Sequence, residues 1–512
     1  MTCWSGEPLD VGTVEQLLID DHVVEDAWDV RRRVCMPLRD PGGPVLRADK
    51  PWEANICPWR VLLDPRDGRY HMYYQAINAE SWNFLFNPDP GSQWHKKKHG
   101  SPYVTCYAHS DDGFNWTKPE LNAVPWRDHA RTNIVADGHL KSQAADVALV
   151  PGATDEQRRL VMIYRDIDPE TGEQCRFRAW SADGVQWTPD PQNPIVRGAG
   201  DGADVLVHDP LTARWHYYVR PAVLPFDGAA ALDPPIGNLK RRMCVSTSED
   251  LDTWTFPRTV IYPDELDLNP MCLDQWTVFR HGSHFIALLS MMDVDNEATN
   301  VTHIASSADG FHWVRLPERP VFMQRGPEGA FDAGQIMLMG APIEMGDRWH
   351  LYYAGTARGQ HHSFHNTGGV GIAILPRGRL VGRFAGDRDG FLLTREVRIG
   401  GRFLEINCEA HHGDGIAGAP RFVRVGLARR ATDANDHRDL GYHEGHAIED
   451  ADPISGTHVA RRVSWKGRAD LGSLVGQTAY LRFHMRNAGV YSFRFVKKGE
   501  EPGSGVRGRS RS

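Results

Sequence analysis

Five acidic residues stand at or near the starts of short apolar, strand-like runs in this sequence. They are Glu53, Asp146, Asp204, Asp274 and Asp332. If distant strand starts meet in one place, the carboxylates raise the pKa of at least one member, because like charges disfavour ionisation. One protonated and one ionised carboxylate can then act as proton donor and as base or nucleophile, which is what cleavage of a glycosidic bond requires. The alternative is that each Asp only bonds a nearby loop amide.

Other polar and aromatic side chains lie close to the same runs. Arg165 and Arg220 each end an apolar run and could hold hydroxyl groups or a substrate carboxylate, or could be solvated arginines at a rim. Trp52, beside the first acid, offers a flat face for stacking on a sugar ring. His361 and His365 belong to a histidine cluster with no acid or cysteine at ligand spacing. We therefore predict a substrate contact at the histidines, and no metal or other cofactor.

A seven-residue pattern, S-x-D-G-x-x-W, recurs between these runs. Its four copies span residues 110–116, 181–187, 248–254 and 307–313, and Leu251 replaces the glycine in the third. Asp bonds nearby backbone amides and Gly accepts positive φ, so each copy predicts a tight hairpin turn, with a structural and not a catalytic role. Recurrence of such a turn between β-rich segments is typical of a radial or stacked array.

The sequence between the motifs divides into repeated units. Each unit contains three apolar strands, the turn, and a fourth strand led by Trp, and a fifth unit turns at residues 376–379 without the motif. Five four-stranded units predict an all-β fold, a five-bladed β-propeller over residues 17–386. We expect residues 17–26 to form a strand that completes the last sheet. Equivalent positions in a ring converge on one axis, so the acids would face one central funnel.

The remainder of the chain lacks both the motif and the matching acids. Residues 387–496 are predicted to form a C-terminal β-sandwich of short strands. The last segment, 497–512, is rich in Gly, Ser and Arg and is expected to be disordered.

Composition narrows the class of protein. The net charge of −8 over 512 residues argues against nucleic acid as a partner. The eight cysteines are scattered and form no C-x-x-C pair, which indicates free thiols in a reducing compartment. The first residues lack the pattern of a signal peptide, and no apolar run approaches about 18 residues, so we expect no membrane partner and a cytoplasmic location.

With these residues in view, the chain resembles the five-bladed propeller glycoside hydrolases. These are the invertase-like family 32, the arabinanase- and xylosidase-like family 43, and the mannoside phosphorylases of family 130. The resemblance covers roughly residues 17–386 and rests on the turn motifs, the strand order and the acids. The invertase-like W-M-N-D-P-N-G and E-C motifs are absent, and the expected third-blade Glu is Asp204 here.

The resemblance implies a role for each catalytic candidate. It implies a base or nucleophile on the first blade, a supporting Asp on the second and an acid on the third, which are Glu53, Asp146 and Asp204. The substrate-binding candidates come from the residues themselves and are Trp52, Arg165, Arg220, Asp274, Asp332, His361 and His365.

The predicted function is an exo-acting glycoside hydrolase with an oligosaccharide or glycoside as its partner. A glycoside phosphorylase and a non-catalytic carbohydrate-binding propeller stay open as alternatives. The first would differ in needing phosphate, and the second in lacking turnover. The sequence leaves retention or inversion open, because that depends on the carboxylate separation, ~5–5.5 Å or ~6.5–9.5 Å. An oligomer could form through the β-sandwich.

Overall fold

The computed structural model describes residues 7–78, 80–81, 96–197, 200, 202–220, 241–268, 271–360, 368–410, 419–429 and 441–499. The predicted all-β class is confirmed. The described part contains seven sheets and few helical residues, among them Lys96–His99 and a 3-10 turn at Glu156–Arg158. No helix among the described residues has the length and apolar character that crossing a membrane requires.

Sheets 1 to 4 each contain four antiparallel strands in chain order. Sheet 1 consists of Asn55–Leu63, Tyr70–Ile77, Tyr103–Ser110 and Ile134–Ala136. Sheet 2 consists of Gln143–Leu149, Leu160–Ile167, Gln174–Ser181 and Thr188–Pro189. Sheet 3 consists of Val205–Asp209, Arg214–Val219, Met243–Ser248 and Arg258–Ile261. Sheet 4 consists of Met271–His281, His284–Asp293, Thr299–Ser307 and Val314–Arg315.

Sheet 5 takes its outer strands from the N-terminal part of the chain. Its own strands are Gln335–Leu338, Ile343–Met345, Arg348–Thr356 and Gly369–Pro376. Leu38–Arg39 and Leu46–Arg47 both pair with the last of these. Because these short strands come from far away in the sequence, they fasten the first part of the ring to its last sheet.

The five sheets close into a ring around their first strands. Consecutive first strands contact one another from sheet 1 to sheet 5, and the later strands of sheet 5 contact the first strand of sheet 1. We call the end of the ring where the first strands begin the upper end, and the end where they finish the lower end. A cavity of about 2010 Å³ separates the lower end from sheet 6.

Sheets 6 and 7 share one apolar core, which includes Leu404, Ile406 and Phe493 from the first and Val425 and Phe483 from the second. Sheet 6 has the order Val30–Val34, Val381–Ala385, Ala488–Val496, Phe403–Ala410 and Gly456–Arg462, with Gln16–Leu17 paired to Ala488–Val496. Sheet 7 has the order Val24–Trp28, Gly390–Thr394, Thr478–Arg486, Phe422–Arg429 and Gly441–Tyr442, with Val397–Arg398 paired to Thr478–Arg486.

The expectation that residues 17–26 complete the last sheet of the ring is wrong. Gln16–Leu17 pairs with sheet 6 and Val24–Trp28 pairs with sheet 7. The edge of sheet 5 is instead covered by the two short strands further along the chain. The apolar run at 17–19 is buried against residues from several sheets, so its hydrophobicity alone did not reveal its partner.

All four S-x-D-G-x-x-W segments adopt the same hydrogen-bonded turn. In the first, the Ser110 hydroxyl accepts a bond from the Gly113 amide at 2.9 Å. The Asp112 carboxylate accepts bonds at 2.8 and 2.7 Å from the two amides that follow the glycine. The Trp116 ring N–H donates to the Gly113 carbonyl at 3.0 Å. The other three copies repeat these bonds, so the motif is a structural turn.

The glycine of the motif lies beneath a tyrosine of the neighbouring sheet in three of the four turns. A Cβ on Gly184, Gly310 or Gly113 would lie 2.2, 2.8 and 2.8 Å from the hydroxyl oxygens of Tyr73, Tyr218 and Tyr352, respectively. These glycines have φ near +78°, a region that favours glycine. Both the backbone and the tyrosine therefore exclude a side chain there.

The third turn replaces this contact with an apolar one. Ile163 holds the fourth position of its strand, as Tyr73 does in sheet 1, and it packs in one cluster with Leu251. Leu251 keeps the left-handed conformation, with φ of +69°, and is 2% exposed. Loss of the tyrosine makes room for a side chain, and burial of the leucine offsets the backbone strain.

Candidate functional site

Asp146 joins three sheets near the centre of the ring. Its carboxylate forms a bidentate pair with Arg60 of sheet 1, at 2.8 and 2.6 Å, and accepts the Leu206 amide of sheet 3 at 2.7 Å. Burial raises the pKa of Asp146, and Arg60 opposes that rise. Arg60 also donates to the Leu206 carbonyl at 2.9 Å. The group is enclosed and supports its neighbours.

Asp204 lies immediately before the first strand of sheet 3 and is fully buried. Its carboxylate meets Arg176 of sheet 2 at 2.5 and 2.9 Å, and neither side chain has any exposed surface. The Tyr217 ring lies against the pair, and burial raises its pKa well above the usual range. The Trp59 ring N–H of sheet 1 donates to the Asp204 carbonyl at 2.8 Å. Adding a proton to Asp204 would leave a buried Arg176 charge unpaired, so the predicted role of general acid does not fit.

Asp274 lies at a register shift in the first strand of sheet 4. Its carboxylate pairs with Arg241, whose side chain is 22% exposed, and its carbonyl accepts a bond from Arg220. The adjacent Gln275 donates to the Gly202 carbonyl at 3.2 Å and so links sheet 4 to sheet 3. Of the three central Asp–Arg pairs, this one has the most exposed arginine.

Arg165 and Arg220, predicted to bind substrate, both lie at the upper end of the ring. Arg165 donates to the Gln143 side chain at 2.8 Å, and the Gln75 side chain accepts the neighbouring Ala144 amide at 2.9 Å. Arg220 lies with its guanidinium 5.9 Å from the centre of the Trp276 ring. Both arginines are buried, so neither is a solvated rim residue.

First strands from different sheets meet at the upper end, as the repeated units predicted. Cys57, Trp59, Ala144, Met339 and Ala354 form one apolar cluster from sheets 1, 2 and 5. Burial raises the pKa of the Cys57 thiol to about 12, with the Asp274 charge acting in the same direction. Asp146, Asp204 and Asp274 therefore belong to one connected neighbourhood.

Glu53 does not belong to that neighbourhood. Its side chain has no exposed surface and is held by the Lys118 ammonium and the Tyr74 hydroxyl, each at 2.6 Å. The amides of Asp49 and Lys50 donate to the same carboxylate at 3.0 and 3.2 Å. All these bonds come from the side of sheet 1, and the prediction that Glu53 faces the funnel as base or nucleophile is wrong.

Trp52 is likewise a core residue. It is 4% exposed, donates its ring N–H to the Asn133 side chain at 3.1 Å, and packs against Trp126 and His129. The predicted stacking face is therefore covered by protein, and the residue fixes the segment that carries Glu53.

Asp332 also serves the fold. Arg39, from the outer strand of sheet 5, meets its carboxylate at 2.7 Å, and the Tyr353 hydroxyl donates to it at 3.0 Å. It is 1% exposed and lies before the strand start at Gln335. The predicted substrate contact is contradicted, because the arginine comes from the outer edge of the sheet and both partners enclose the acid.

The acids are not equivalent in register, although the sequence suggested that they were. Asp146 lies within its strand opposite Ile163, Asp204 precedes its strand, and Asp274 is at a register shift. The position equivalent to Asp146 in sheet 1 is held by Arg60, which lies opposite Tyr73. Sequence reasoning missed the arginines that pair with the acids. The available signal was Arg60, which holds in sheet 1 the position that Asp146 holds in sheet 2.

His361 and His365 lie outside the described residues. Among the described residues, one group has ligand atoms close enough for a metal: Asp64, Asp67 and His71, within 4.8 Å of one another. Arg159 already pairs with both oxygens of Asp64, at 2.9 and 2.7 Å. This group is on the first hairpin of sheet 1, away from the upper end. The positive charge of Arg159 beside it would disfavour binding of a metal cation.

No protein-family model and no curated protein matches this chain. A solved thermostable family-43 glycoside hydrolase is 12% identical, with a TM-score of 0.42 over 68% of this chain and 92% of that chain. Another solved structure comes from work on the GH130 family of mannoside phosphorylases, which contains glycoside hydrolases that target β-1,2 mannosidic linkages. It is 16% identical, with a TM-score of 0.40 over 73% of this chain and 96% of that chain. An N-acetylgalactosamine deacetylase from F. plautii is 13% identical, with a TM-score of 0.38 over 73% and 96%.

Glycoside hydrolases are thus among the solved structures that this chain is similar to, as the sequence resemblance predicted. The assignment of a function must come from the chain's own side chains. What they offer is a set of Asp–Arg pairs, joined through backbone carbonyls, around the axis of the ring.

Proposed function

We propose that the ring is a five-bladed β-propeller, that sheets 6 and 7 form a β-sandwich, and that the protein is a glycoside hydrolase. Its site is the upper end of the ring, and its partner is an oligosaccharide or glycoside. The lower end faces sheet 6 across the cavity, so we assign the approach of substrate to the upper end. A passage used from one side suits a chain end, which favours exo-action.

One observation carries the proposal: the connected Asp–Arg pairs of Asp146, Asp204 and Asp274. Buried ion pairs contribute little net stability, because removing two charges from water costs about as much as their attraction returns. Three of them around the axis of one ring are therefore poorly explained by folding alone. Clusters of buried, interacting ionisable groups are typical of active sites.

Within the cluster we assign Asp274 as the carboxylate that faces substrate. Its partner Arg241 is partly exposed, whereas the Asp204–Arg176 pair is fully buried. Asp274 would act as base or nucleophile, and Arg220, bonded to its carbonyl, would orient the strand. Asp146 and Asp204 are supporting groups that fix the first strands of sheets 2 and 3.

A second candidate function is phosphorolysis of a glycosidic bond. It is favoured by three arginines at the upper end, Arg165, Arg220 and Arg241, because a guanidinium binds phosphate oxygens in a bidentate fashion. In that case phosphate takes the place of the attacking water.

A screen of aryl glycosides and oligosaccharides, with and without inorganic phosphate, tests both candidates. Sugar release without phosphate supports hydrolysis, and release that requires phosphate indicates a phosphorylase. Asp274→Asn should lower kcat by about a hundredfold or more, since a positioned carboxylate contributes on that scale.

Glu120→Gln is the matched control. Glu120 is an acid with a 75% exposed side chain, and its substitution should leave kcat unchanged. Equal rates for Asp274→Asn and wild type would remove Asp274 from the site. Absence of turnover on the whole panel would count against an enzyme of either class.

A further inference from the structure

The chain segment 24–34 forms one continuous open edge. Val24–Trp28 pairs with Gly390–Thr394 and Val30–Val34 pairs with Val381–Ala385, and neither strand has a second strand partner within the described ranges. A single residue, Asp29 with φ of +49°, joins the two strands where the edge turns from sheet 7 to sheet 6.

The backbone along this edge is not bonded to the adjoining strand at every residue. The Ala27 amide donates at 2.8 Å to the side chain of its neighbour Asp26, and not to the adjoining strand. An open edge presents a row of such groups, which is a template for pairing with another strand. Trp28, 73% exposed, stands in the middle of the edge. Exposed tryptophan is enriched where proteins bind one another.

The charges on the edge are divided in a regular way. Its first half carries Glu25 and Asp26, and its second half carries Arg31, Arg32 and Arg33. All of these side chains are exposed except Arg32, which is half-buried and pairs with Asp21 at 2.5 Å. No ion pair joins the two halves among the described residues.

This division is self-complementary in an antiparallel arrangement. If two copies of the edge run in opposite directions about a twofold axis at Asp29, Glu25 lies opposite Arg33 of the partner subunit, and Asp26 lies opposite Arg32 of the partner subunit. Each contact occurs twice, as a twofold interface requires. Opposite charges placed across from each other stabilise antiparallel pairs, whereas like charges destabilise them. An in-register parallel pairing would instead place the acids opposite acids and the arginines opposite arginines.

We infer that the protein forms a twofold-symmetric dimer through residues 24–34, with the acidic half of each edge paired to the basic half of the other. The occupant of the edge is therefore a second copy of this chain. Sheet 7 of one subunit then continues into sheet 6 of its partner, and the two Trp28 side chains lie close to the axis.

Two charge-reversed forms of the full chain test the inference. Glu25→Lys with Asp26→Lys leaves Asp29 as the single acid of a basic edge, and Arg31→Glu with Arg33→Glu makes the edge mainly acidic. Wild type should sediment as a dimer. Each variant alone should be a monomer, with a dissociation constant about a hundredfold higher or more, because like charges now face each other. An equimolar mixture of the two variants should recover a dimer that contains one chain of each.

Arg348→Glu, on an exposed hairpin of sheet 5, is the matched control and should remain a dimer. Far-UV circular dichroism and the thermal midpoint establish that each variant is folded. A wild-type monomer at every protein concentration would overturn the inference. So would dimers that survive in both variants, or a mixture that stays monomeric, because the contact would then lie elsewhere.

Discussion

Two regions of the ring repeat an aspartate, and they use it in opposite ways. In the outer turns, Asp112 and its three counterparts accept the same two following amides at 2.7–2.8 Å. Among the predicted site acids, the cations come from different places: Arg60 lies in the first strand of the preceding sheet, Arg176 and Arg241 lie in or just before its third strand, and Arg39 comes from the N-terminal segment. A repeat with constant partners indicates a structural element, whereas a repeat with changing partners indicates positions that have diverged.

The largest expected effect is at the buried Asp204–Arg176 pair. Asp204→Asn should reduce the free energy of unfolding by about 3–5 kcal/mol, because it leaves a buried guanidinium without its counter-charge. The double variant Asp204→Leu with Arg176→Met should recover most of that loss, since neither charge then remains in the core. Urea unfolding of Asp204→Leu, Arg176→Met and the double variant measures the coupling. A double variant as unstable as the sum of the singles would contradict the interpretation.

The next effect is at the tyrosine-covered turns. Gly184→Ala should cost about 1–3 kcal/mol, because the new Cβ meets the Tyr73 hydroxyl and the backbone φ is +78°. In a Tyr73→Phe background the cost should fall, since the clashing oxygen is gone and only the backbone strain remains. Thermal unfolding of the four proteins of this cycle tests the contact. Equal costs in both backgrounds would show that the tyrosine is irrelevant.

A smaller effect is expected from one turn aspartate. Asp112→Ala should cost about 0.5–2 kcal/mol, as loss of a side chain that caps free backbone amides usually does. Asp111→Ala, next to it and 77% exposed, should stay within about 0.5 kcal/mol of wild type. Equal losses of stability for the two variants in urea unfolding would contradict the capping role of Asp112.

The smallest effect is in the pH dependence of stability. Hydrogen bonds from Asn115 lower the pKa of Asp112 in the folded protein. A carboxyl with a lowered folded pKa stabilises above its unfolded value of about 4, and this stability is lost as the pH falls through that value towards the folded pKa. Asp112→Asn should therefore show a shallower loss of stability between about pH 5 and pH 2. Unfolding midpoints along that series, compared with wild type, measure the difference.

Much of the ring was predictable, because its signals are local. Alternating apolar runs separated by Asp-Gly turns define hairpins, and each turn motif lies where its own residues dictate. Even the departure at Leu251 had a signal in the sequence, since Ile163 replaces tyrosine at the aligned position. Local patterns fix strands and turns because the bonds they form are within a few residues.

The site was less predictable, because an acid's role depends on a distant partner. No residue near Asp146 in the sequence indicates that Arg60 is its partner, and no residue near Glu53 indicates Lys118. The same limit applied to residues 17–26, whose partners lie at the other end of the chain. Glu53 and Asp332 were therefore given functional roles that their cation and tyrosine partners contradict.

The strands at residues 16–34 affect how the chain folds during its synthesis on the ribosome. Residues 16–34 leave the ribosome before the residues that bond them, which are 381–394 and 492–493. This segment must therefore wait, unpaired, while the five sheets of the ring are made. Such long-range closure slows folding. A variant without those later strands would also leave residues 16–34 without their partners.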